Sequence, residues 1–222
     1  MSDAAYIDKL ASLFEAHGNE SNAEAMSKYM KWHFPFFGLN KPKRQELWKM
    51  YRNEHGMPRD WRTTVVQSWK YDQREMQYIG MEIAYRSKAH FQREDLALFE
   101  NMIVERSWWD TVDFIASNII GEYLYRFPDR IPVCSQRWNN SDNLWLIRTS
   151  ILFQLKYKDF TDFKLLQQMI NRHKYSKEFF LQKAIGWALR QYARVSPDEV
   201  LAFVTETELM PLSRREALKH LR

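Results

Sequence analysis

The sequence has 222 residues, of which 45% are hydrophobic and 27% charged, and its formal net charge is +5. This length supports one sizeable core, so we predict a single domain over residues 1–222. Because the chain has only 6 Gly and 7 Pro and no Asn-Gly or Asp-Gly dipeptide, a fold built from tight β-hairpins is excluded. The composition predicts an all-helical protein, and the basic charge suits a polyanionic partner without requiring one.

Cysteine content and the distribution of apolar residues argue against disulfide-bonded, zinc-binding, secreted and membrane-spanning proteins. The single Cys134 excludes an intrachain disulfide, and the 6 His form no Cys and His cluster at zinc spacing. The amino terminus lacks a basic run followed by an apolar core, and no apolar run approaches the roughly 18 residues that a membrane span needs. We therefore expect a soluble, cytoplasmic protein with no membrane contact, no metal and no cofactor.

In chain order, helix-start signals recur at intervals of 32 to 37 residues. The six signals, each a capping side chain before an apolar pattern of helical period, are Asn40, Asp72, Ser107, Ser141, Ser176 and Ser213. Second helical stretches lie between or after them, at about 60–69, 94–104, 131–138, 160–172 and 198–206. Helix pairs at a fixed interval are typical of an α-solenoid. The period is close to that of tetratricopeptide repeats, but the Trp, Leu-Gly and Tyr pattern of those repeats is absent. We predict an all-α solenoid of HEAT-like helical pairs.

Unusual residues follow the later helix starts. Lys183, Trp187 and Arg190 are spaced four and three residues apart, so they share one face of a helix. Arg148 and Lys156 are eight residues apart and also align. The first helices of the pairs in a curved solenoid often line one side. We therefore predict a concave, basic DNA-binding face that carries Trp rings and one acid.

Two adjacent indoles and two acids crowd the start of the third helix pair. Ser107 and Asp110 have the spacing of a capping box, which accounts for Asp110. Asp113 lies four residues after Trp109 on the same face and has no capping duty, so we interpret it as a functional carboxylate. The alternatives are a structural ion pair between Asp113 and an Arg such as Arg148, and a core position for Trp109.

Other candidate residues also have two interpretations. Gly186 permits a ligand or another backbone to approach beside Trp187, but a small residue for helix packing is equally consistent with the sequence. Arg148, Lys156 and Arg190 are either solvated or bind phosphates. Their grouping after helix starts that face the same way favours phosphate contacts.

These residue types suit one reaction. A cationic alkylated purine is already a good leaving group, so its release from deoxyribose mainly requires stabilisation of the positive charge that develops on the sugar. Asp113 would stabilise that charge and orient an attacking water, while Trp109 and Trp187 would pack against the sugar and backbone. Arg148 would clamp a phosphate, because its planar fork matches the phosphate oxygens.

Several long segments, which together span nearly the whole chain, carry a specific pattern. They are 107–113, 141–158 with Trp145 and Arg148, 176–190 with Trp187, an early stretch from Tyr29 to Gly38 and a late one from Pro211 to His220. Together they resemble the AlkD family of DNA alkylation repair glycosylases. The resemblance implies a HEAT-like α-solenoid that holds duplex DNA in a concave channel. It also implies excision of N3- and N7-alkylated purines as free bases, without flipping the lesion into a pocket.

The resemblance also implies roles for single residues. Asp113 corresponds to the catalytic acid, and Arg148 corresponds to the essential basic residue. Trp109 and Trp187 correspond to indoles that contact the sugar and backbone at the lesion, and Tyr29 corresponds to a tyrosine at the DNA interface. The further cations that we predict to bind DNA are Lys156, Lys183 and Arg190.

The sequence leaves two other functions open. A noncatalytic solenoid that binds damaged or distorted DNA would share the basic face but tolerate loss of Asp113, and a protein-interaction scaffold would show no salt-dependent DNA binding. We predict a monofunctional alkylpurine DNA glycosylase, because no lysine is placed as an amine nucleophile. We expect it to act as a monomer on double-stranded DNA. Because members of the family continue further, we expect the last helix to be incomplete at Arg222.

Overall fold

The computed structural model describes residues 3–221, and every regular element in that range is helical. The chain divides into two compact units, Met1–Gln92 and Arg93–Arg222. A single domain over residues 1–222 stays a prediction, and the predicted incomplete end at Arg222 lies outside the described residues. No helix within residues 3–221 combines the length and the apolar character that crossing a bilayer demands.

The described part of the first unit contains five α-helices. They are α1 (Asp3–Ala16), α2 (Glu20–Tyr29), α3 (Lys41–His55), α4 (Trp61–Trp69) and α5 (Arg74–Arg86). Helix α4 packs against both α1 and α5. Tyr6 of α1 and Tyr51 of α3 meet edge to face at 5.0 Å, and the Tyr51 hydroxyl donates to the Tyr6 carbonyl oxygen at 2.8 Å. Buried rings and their hydroxyls therefore join α1 to α3.

A buried carboxylate ties the connection between α2 and α3 to α5. Glu75 accepts hydrogen bonds from the backbone N–H groups of Phe37, Gly38 and Leu39 at distances of 3.1, 2.9 and 3.1 Å. Burial raises the pKa of Glu75, and these backbone donors oppose the rise. Gly38 has a φ of 89°, and a Cβ there would lie 2.0 Å from the Asn19 carbonyl oxygen, so only glycine fits.

The described part of the second unit contains nine α-helices and one π-helical segment. They are α6 (Leu96–Val104), α7 (Trp109–Phe114), the π segment (Ile115–Ile120), α8 (Gly121–Arg126), α9 (Ile131–Asn139), α10 (Leu144–Leu152), α11 (Phe163–His173), α12 (Phe179–Tyr192), α13 (Pro197–Glu206) and α14 (Pro211–Ala217). Helix α10 contacts α9 and α12, and α12 packs along α14. The core includes Ile151, Leu166, Ile185 and Val204. Cys134 of α9 is buried, and burial raises the pKa of its thiol.

Helix starts recur at a nearly constant interval. The residues that precede the repeated helices are Asn40, Gln73, Trp108, Asn143, Glu178 and Met210, which lie 32 to 35 residues apart. The second helices of the first five pairs are α4, α6, α9, α11 and α13. The predicted all-helical fold of repeated helix pairs is therefore confirmed.

Three of the predicted caps act at or near their helix starts. The Asn40 side chain accepts a hydrogen bond from the backbone N–H three residues later at 3.0 Å, as an N-cap does. The hydroxyls of Ser141 and Ser176 accept from the backbone N–H groups of Asn143 and Glu178 at 3.0 and 3.2 Å. Each serine therefore closes a turn before its helix, and the helix begins two residues later than predicted.

The predicted capping box at Ser107 is wrong. The Ser107 hydroxyl donates to the carbonyl oxygens of Ile103 and Val104, both at 2.8 Å, so it serves the end of α6. Helix α7 begins after Trp108, which makes no side-chain cap hydrogen bond. A serine hydroxyl can satisfy the last carbonyls of one helix as readily as the first N–H groups of the next. Sequence spacing alone does not distinguish the two arrangements.

Ser213 and Asp72 are not N-caps either. Ser213 lies inside α14, which begins after Met210, and its hydroxyl donates to the Gln182 carbonyl oxygen of α12 at 3.1 Å. Helix α5 begins after Gln73, one residue later than predicted, and Gln73 makes no side-chain cap hydrogen bond. These shifts move helix boundaries by one to three residues and leave the order of helices unchanged.

Candidate functional site

Asp113 and Arg148 form a bidentate ion pair between α7 and α10. Arg148 Nε donates to Asp113 Oδ1 at 2.7 Å, and Arg148 Nη2 donates to Asp113 Oδ2 at 2.9 Å. The Arg148 side chain is 4% exposed and the Asp113 side chain 18%. The ion pair that the sequence left open as an alternative is therefore present, and the Asp113 side chain keeps a small exposed fraction.

A third helix also holds Arg148. Arg148 Nη1 donates to the backbone carbonyl oxygen of Phe180 in the first turn of α12, and the guanidinium carbon lies 6.0 Å from the centroid of the Phe180 ring. Arg148 thus connects α7, α10 and α12. Its contact with a DNA phosphate stays a prediction.

Burial and charge act on Asp113 in opposite directions. Burial raises the pKa of its carboxyl above the usual range, and the nearby Asp110 adds to the rise. The hydrogen bonds and positive charge of Arg148 lower it. Because a guanidinium stays protonated at any physiological pH, the Asp113 carboxylate always has a positively charged partner in Arg148. The arrangement fixes the negative charge of the Asp113 carboxylate at a largely buried position, as stabilisation of a developing cation requires.

Aromatic rings cluster around the carbonyl that holds Arg148. The ring centroids of Trp108 and Trp145 are 5.7 Å apart, and they lie 5.2 and 5.1 Å from that of Phe180. Phe179 joins the cluster at 5.4 Å from Phe180. These contacts hold the first turn of α12 beside α7 and α10, and so position the third acceptor of Arg148.

The two indoles predicted to contact the sugar lie on different helices. Trp109 is the first residue of α7 and Trp187 lies in α12, and both are half-buried. Trp109 shares the helical face of Asp113, one turn earlier. Trp187 packs against the core of the second unit, so at least part of its ring serves packing.

Gly186 permits close packing of α12 on α14. A Cβ at this position would lie 2.4 Å from the Glu216 Cβ and 2.9 Å from the Ser213 carbonyl oxygen, well inside van der Waals contact. Of the two interpretations open for Gly186, the helix-packing one agrees with the structure. The absent side chain brings Glu216 against α12.

Comparison with known proteins identifies the family of this chain. A family model described as DNA alkylation repair enzyme matches residues 10–221. The chain belongs to this family. A solved structure described as a predicted DNA alkylation repair enzyme from Enterococcus faecalis is 32% identical in sequence, with a TM-score of 0.84 over 92% of this chain and 96% of that chain. Comparison with curated proteins gave no match. Family membership assigns the chain a role in the repair of alkylated DNA.

In this DNA alkylation repair enzyme, two of the cations predicted to bind DNA pair with an acid of α14. Lys183 Nζ lies 2.9 Å from Glu216 Oε1, and Arg190 Nη1 donates to Glu216 Oε2. Hydrogen bonds from Lys183 and then Arg190, together with their charges, lower the pKa of Glu216, while burial opposes the change. Phosphates that bind these cations must therefore share them with Glu216 or displace it.

Lys156, the third of these cations, contacts the π segment. Its Nζ donates to the side-chain oxygen of Asn118, whose Nδ2 donates to the Phe114 carbonyl oxygen at 3.0 Å. Ser117 donates to the carbonyl oxygen of Asp113 at 2.7 Å. Both side chains bond carbonyls four residues earlier, at a place where the helix widens. The π segment thus begins two residues after Asp113 and carries the partner of Lys156.

Tyr29, the remaining residue assigned to DNA, belongs to the first unit. It is the last residue of α2 and is 70% exposed. Together with Met26, Met30 and Tyr78 it lines an apolar cleft of about 280 Å³. Within residues 3–221, no group of three or more His, Cys, Asp or Glu side chains is arranged to hold a metal ion.

Sequence reasoning missed three partners of the predicted site residues. They are the Phe180 carbonyl for Arg148, Asn118 for Lys156 and Glu216 for Lys183 and Arg190. A backbone carbonyl leaves no sequence signal. Asn118 and Glu216 do leave one, since each lies close to one repeat interval from a lysine that it contacts, at separations of 38 and 33 residues.

Proposed function

We propose that this protein is a monofunctional DNA glycosylase that hydrolyses the N-glycosidic bond of cationic N3- and N7-alkylated purines in duplex DNA, without flipping the base into a pocket. The observation that carries the proposal is Asp113, whose carboxylate is held at both oxygens by Arg148 and whose side chain is still 18% exposed. Membership of a DNA alkylation repair family supports the substrate class.

The reaction needs little acid catalysis. When the C1′–N9 bond breaks, its electron pair passes to the purine, and the cationic base leaves as a neutral molecule. Positive charge then develops on the deoxyribose, where a fixed carboxylate stabilises it electrostatically. Water adds its oxygen to C1′ and loses one proton to solvent by way of Asp113. The products are the free alkylated base and an abasic site.

Arg148 positions the carboxylate in this scheme. Its two donors fix both oxygens of Asp113, and its charge opposes the rise in the pKa that burial causes. Both oxygens of the carboxylate are therefore oriented before the substrate arrives, which avoids reorganisation during the reaction. Trp109, one turn earlier on α7, would pack against the sugar, and so would Trp187 on α12.

The predicted lysines support hydrolysis instead of lyase chemistry. A lysine nucleophile has to be deprotonated and free to attack C1′. Lys183 is paired with Glu216, and Lys156 is hydrogen-bonded to Asn118. Neither of these two lysines is therefore placed as a free amine nucleophile. We assign to DNA binding the cations Lys156, Lys183 and Arg190, and also Tyr29, which corresponds to a tyrosine at the DNA interface of the family.

The test is single-turnover release of free base from duplex DNA that carries one 7-methylguanine. Wild type should release the base, and Asp113→Asn should slow release by on the order of 100-fold or more, because the neutral amide stabilises the sugar cation poorly. Asp110→Asn, which changes the other acid of the same helix, is the matched control and should stay within a few-fold of wild type. Equal release by wild type and Asp113→Asn would remove Asp113 from this role.

A second candidate function is noncatalytic binding of damaged or distorted DNA. The observation in its favour is the engagement of all three Arg148 nitrogens by Asp113 and Phe180, which suits an ion pair that only joins helices. It predicts that wild type binds DNA in a salt-dependent way and releases no base. The same single-turnover experiment, with binding measured alongside, distinguishes the two functions.

A further inference from the structure

Helix α2 ends in an unusual turn. The backbone N–H of Lys31 donates to the Lys28 carbonyl oxygen at 3.0 Å, and that of Trp32 donates to the Ser27 carbonyl oxygen at 2.7 Å. This pair of hydrogen bonds is the Schellman arrangement that closes many helices. Lys31 and Trp32 have φ values of 54° and 62°, so two consecutive residues occupy the left-handed region.

Neither lysine nor tryptophan is a residue type that the left-handed backbone conformation favours. Glycine is the usual residue at the left-handed position after a helix, because a Cβ is strained there. Here a lysine and a tryptophan take consecutive left-handed positions. The residue after such a position often packs an apolar side chain back on its helix, yet the Trp32 side chain is 63% exposed. Strain retained at large, exposed side chains points to a use for those side chains.

The surroundings of Trp32 define the chemistry of a partner. Lys28, Tyr29, Lys31 and His33 are all exposed, and residues 25–36 contain no acid. Met30 is buried beneath them and anchors the turn. An indole, a phenol ring and two ammonium groups on one turn match a sugar-phosphate backbone, where lysines meet phosphates and rings meet deoxyribose. We call residues 28–33 the α2 turn.

We propose that the α2 turn is a DNA-contacting element, in which Trp32 packs its ring against deoxyribose and Lys28 and Lys31 neutralise phosphates. The inference rests on DNA being the substrate, as in the proposed function. It adds Trp32, Lys28 and Lys31 to the DNA-binding residues, and it explains why the turn keeps side chains where glycine would relieve the backbone. The two kinds of contact differ in salt dependence, because only the lysines release counterions.

The experiment measures binding of the full chain to a fluorescent duplex of undamaged DNA over a series of KCl concentrations. Trp32→Ala should weaken binding about tenfold without changing the slope of log K against log salt. Lys31→Gly should lower the magnitude of that slope by about 0.9, the amount expected for one phosphate. Its thermal midpoint should be equal to or above that of wild type, because glycine suits the left-handed position.

Phe160→Ala is the matched control, since Phe160 is 75% exposed and belongs to the second unit. It should bind as wild type does. Trp32→Phe should restore most of the affinity lost in Trp32→Ala. Unchanged affinity in Trp32→Ala together with an unchanged slope in Lys31→Gly would overturn the inference, as would binding by wild type that does not depend on salt. Because this DNA carries no alkylated base, the result is independent of base release, which tests the proposed function separately.

Discussion

Arg148 binds the carboxylate of a residue, Asp113, that precedes it by 35 residues, the interval at which helices α7, α10 and α12 begin. The two residues lie in the opening helices of successive pairs. Other polar contacts of the second unit have similar separations, including Arg93 with Asp129 at 36 residues and Lys183 with Glu216 at 33. Ion pairs between neighbouring pairs therefore repeat with the helices that carry them, and the candidate catalytic acid belongs to this series.

Arg148→Ala should destabilise the protein by about 3–5 kcal/mol, because it leaves the Asp113 carboxylate buried without its cation. Urea unfolding of wild type and variant measures the difference. The double variant that also carries Asp113→Asn should lose less stability than the two single changes add up to, since no buried charge remains. Additive losses would show that the two side chains do not act as a pair.

Base release should decline as the pH falls, with a midpoint above the usual carboxyl pKa of about 3.9. The rate declines with falling pH because the ionised form of Asp113 is the active one. The midpoint lies above the usual value because burial raises the pKa of Asp113 in the folded protein. The rate of release should reach its maximum above that pKa and fall about tenfold for each pH unit below it. Single-turnover rates across the acid range, with circular dichroism to show that the protein is folded, provide the measurement. A rate that stays flat down to the usual carboxyl pKa would contradict the assignment.

Glu216→Gln should tighten binding to duplex DNA and make it more salt-dependent. The change removes the charge that occupies Lys183 and Arg190, so both cations become available to phosphates. The magnitude of the salt slope should increase by about 0.9 for each cation that then meets a phosphate. Glu206→Gln, at the exposed end of α13, removes one negative charge elsewhere in the second unit and is the control. An equal change in DNA affinity in both variants would mean that the effect comes from net charge and not from the release of Lys183 and Arg190.

Gly186→Ala should destabilise the protein by about 1–3 kcal/mol, because its methyl group would overlap the Glu216 side chain and the Ser213 carbonyl oxygen. The shift of α14 that relieves the overlap also separates Glu216 from Lys183. Thermal unfolding reports the loss of stability. A thermal midpoint equal to that of wild type would mean that α14 moves without cost.

The periodic features of the sequence predicted the fold well. The interval between helix starts remains recognisable despite errors at single caps, because the later helices share it and boundary shifts of one to three residues leave the order of helices unchanged. Ser107 shows where local spacing fails. Its hydroxyl bonds two carbonyls at the end of α6, an arrangement that sequence spacing does not distinguish from an N-cap of α7.

The candidate site was predicted only in part. Asp113 and Arg148 were singled out by charge and position, and the pairing of the two was left open beside a role for each alone. The π segment has no composition that marks it, and the residues on either side of it form ordinary α-helix. The contacts of Lys183 and Arg190 with Glu216 depend on how closely α12 and α14 approach at Gly186, which is a tertiary property.

The buried thiol of Cys134 has a consequence for the reactivity of the folded chain towards alkylating chemicals. Such chemicals attack thiolates far faster than thiols, and burial both hides the sulfur of Cys134 and raises its pKa. The only cysteine of the sequence therefore offers them no ready target. Burial in the fold therefore protects this one sulfur from the class of reagents that alkylates DNA.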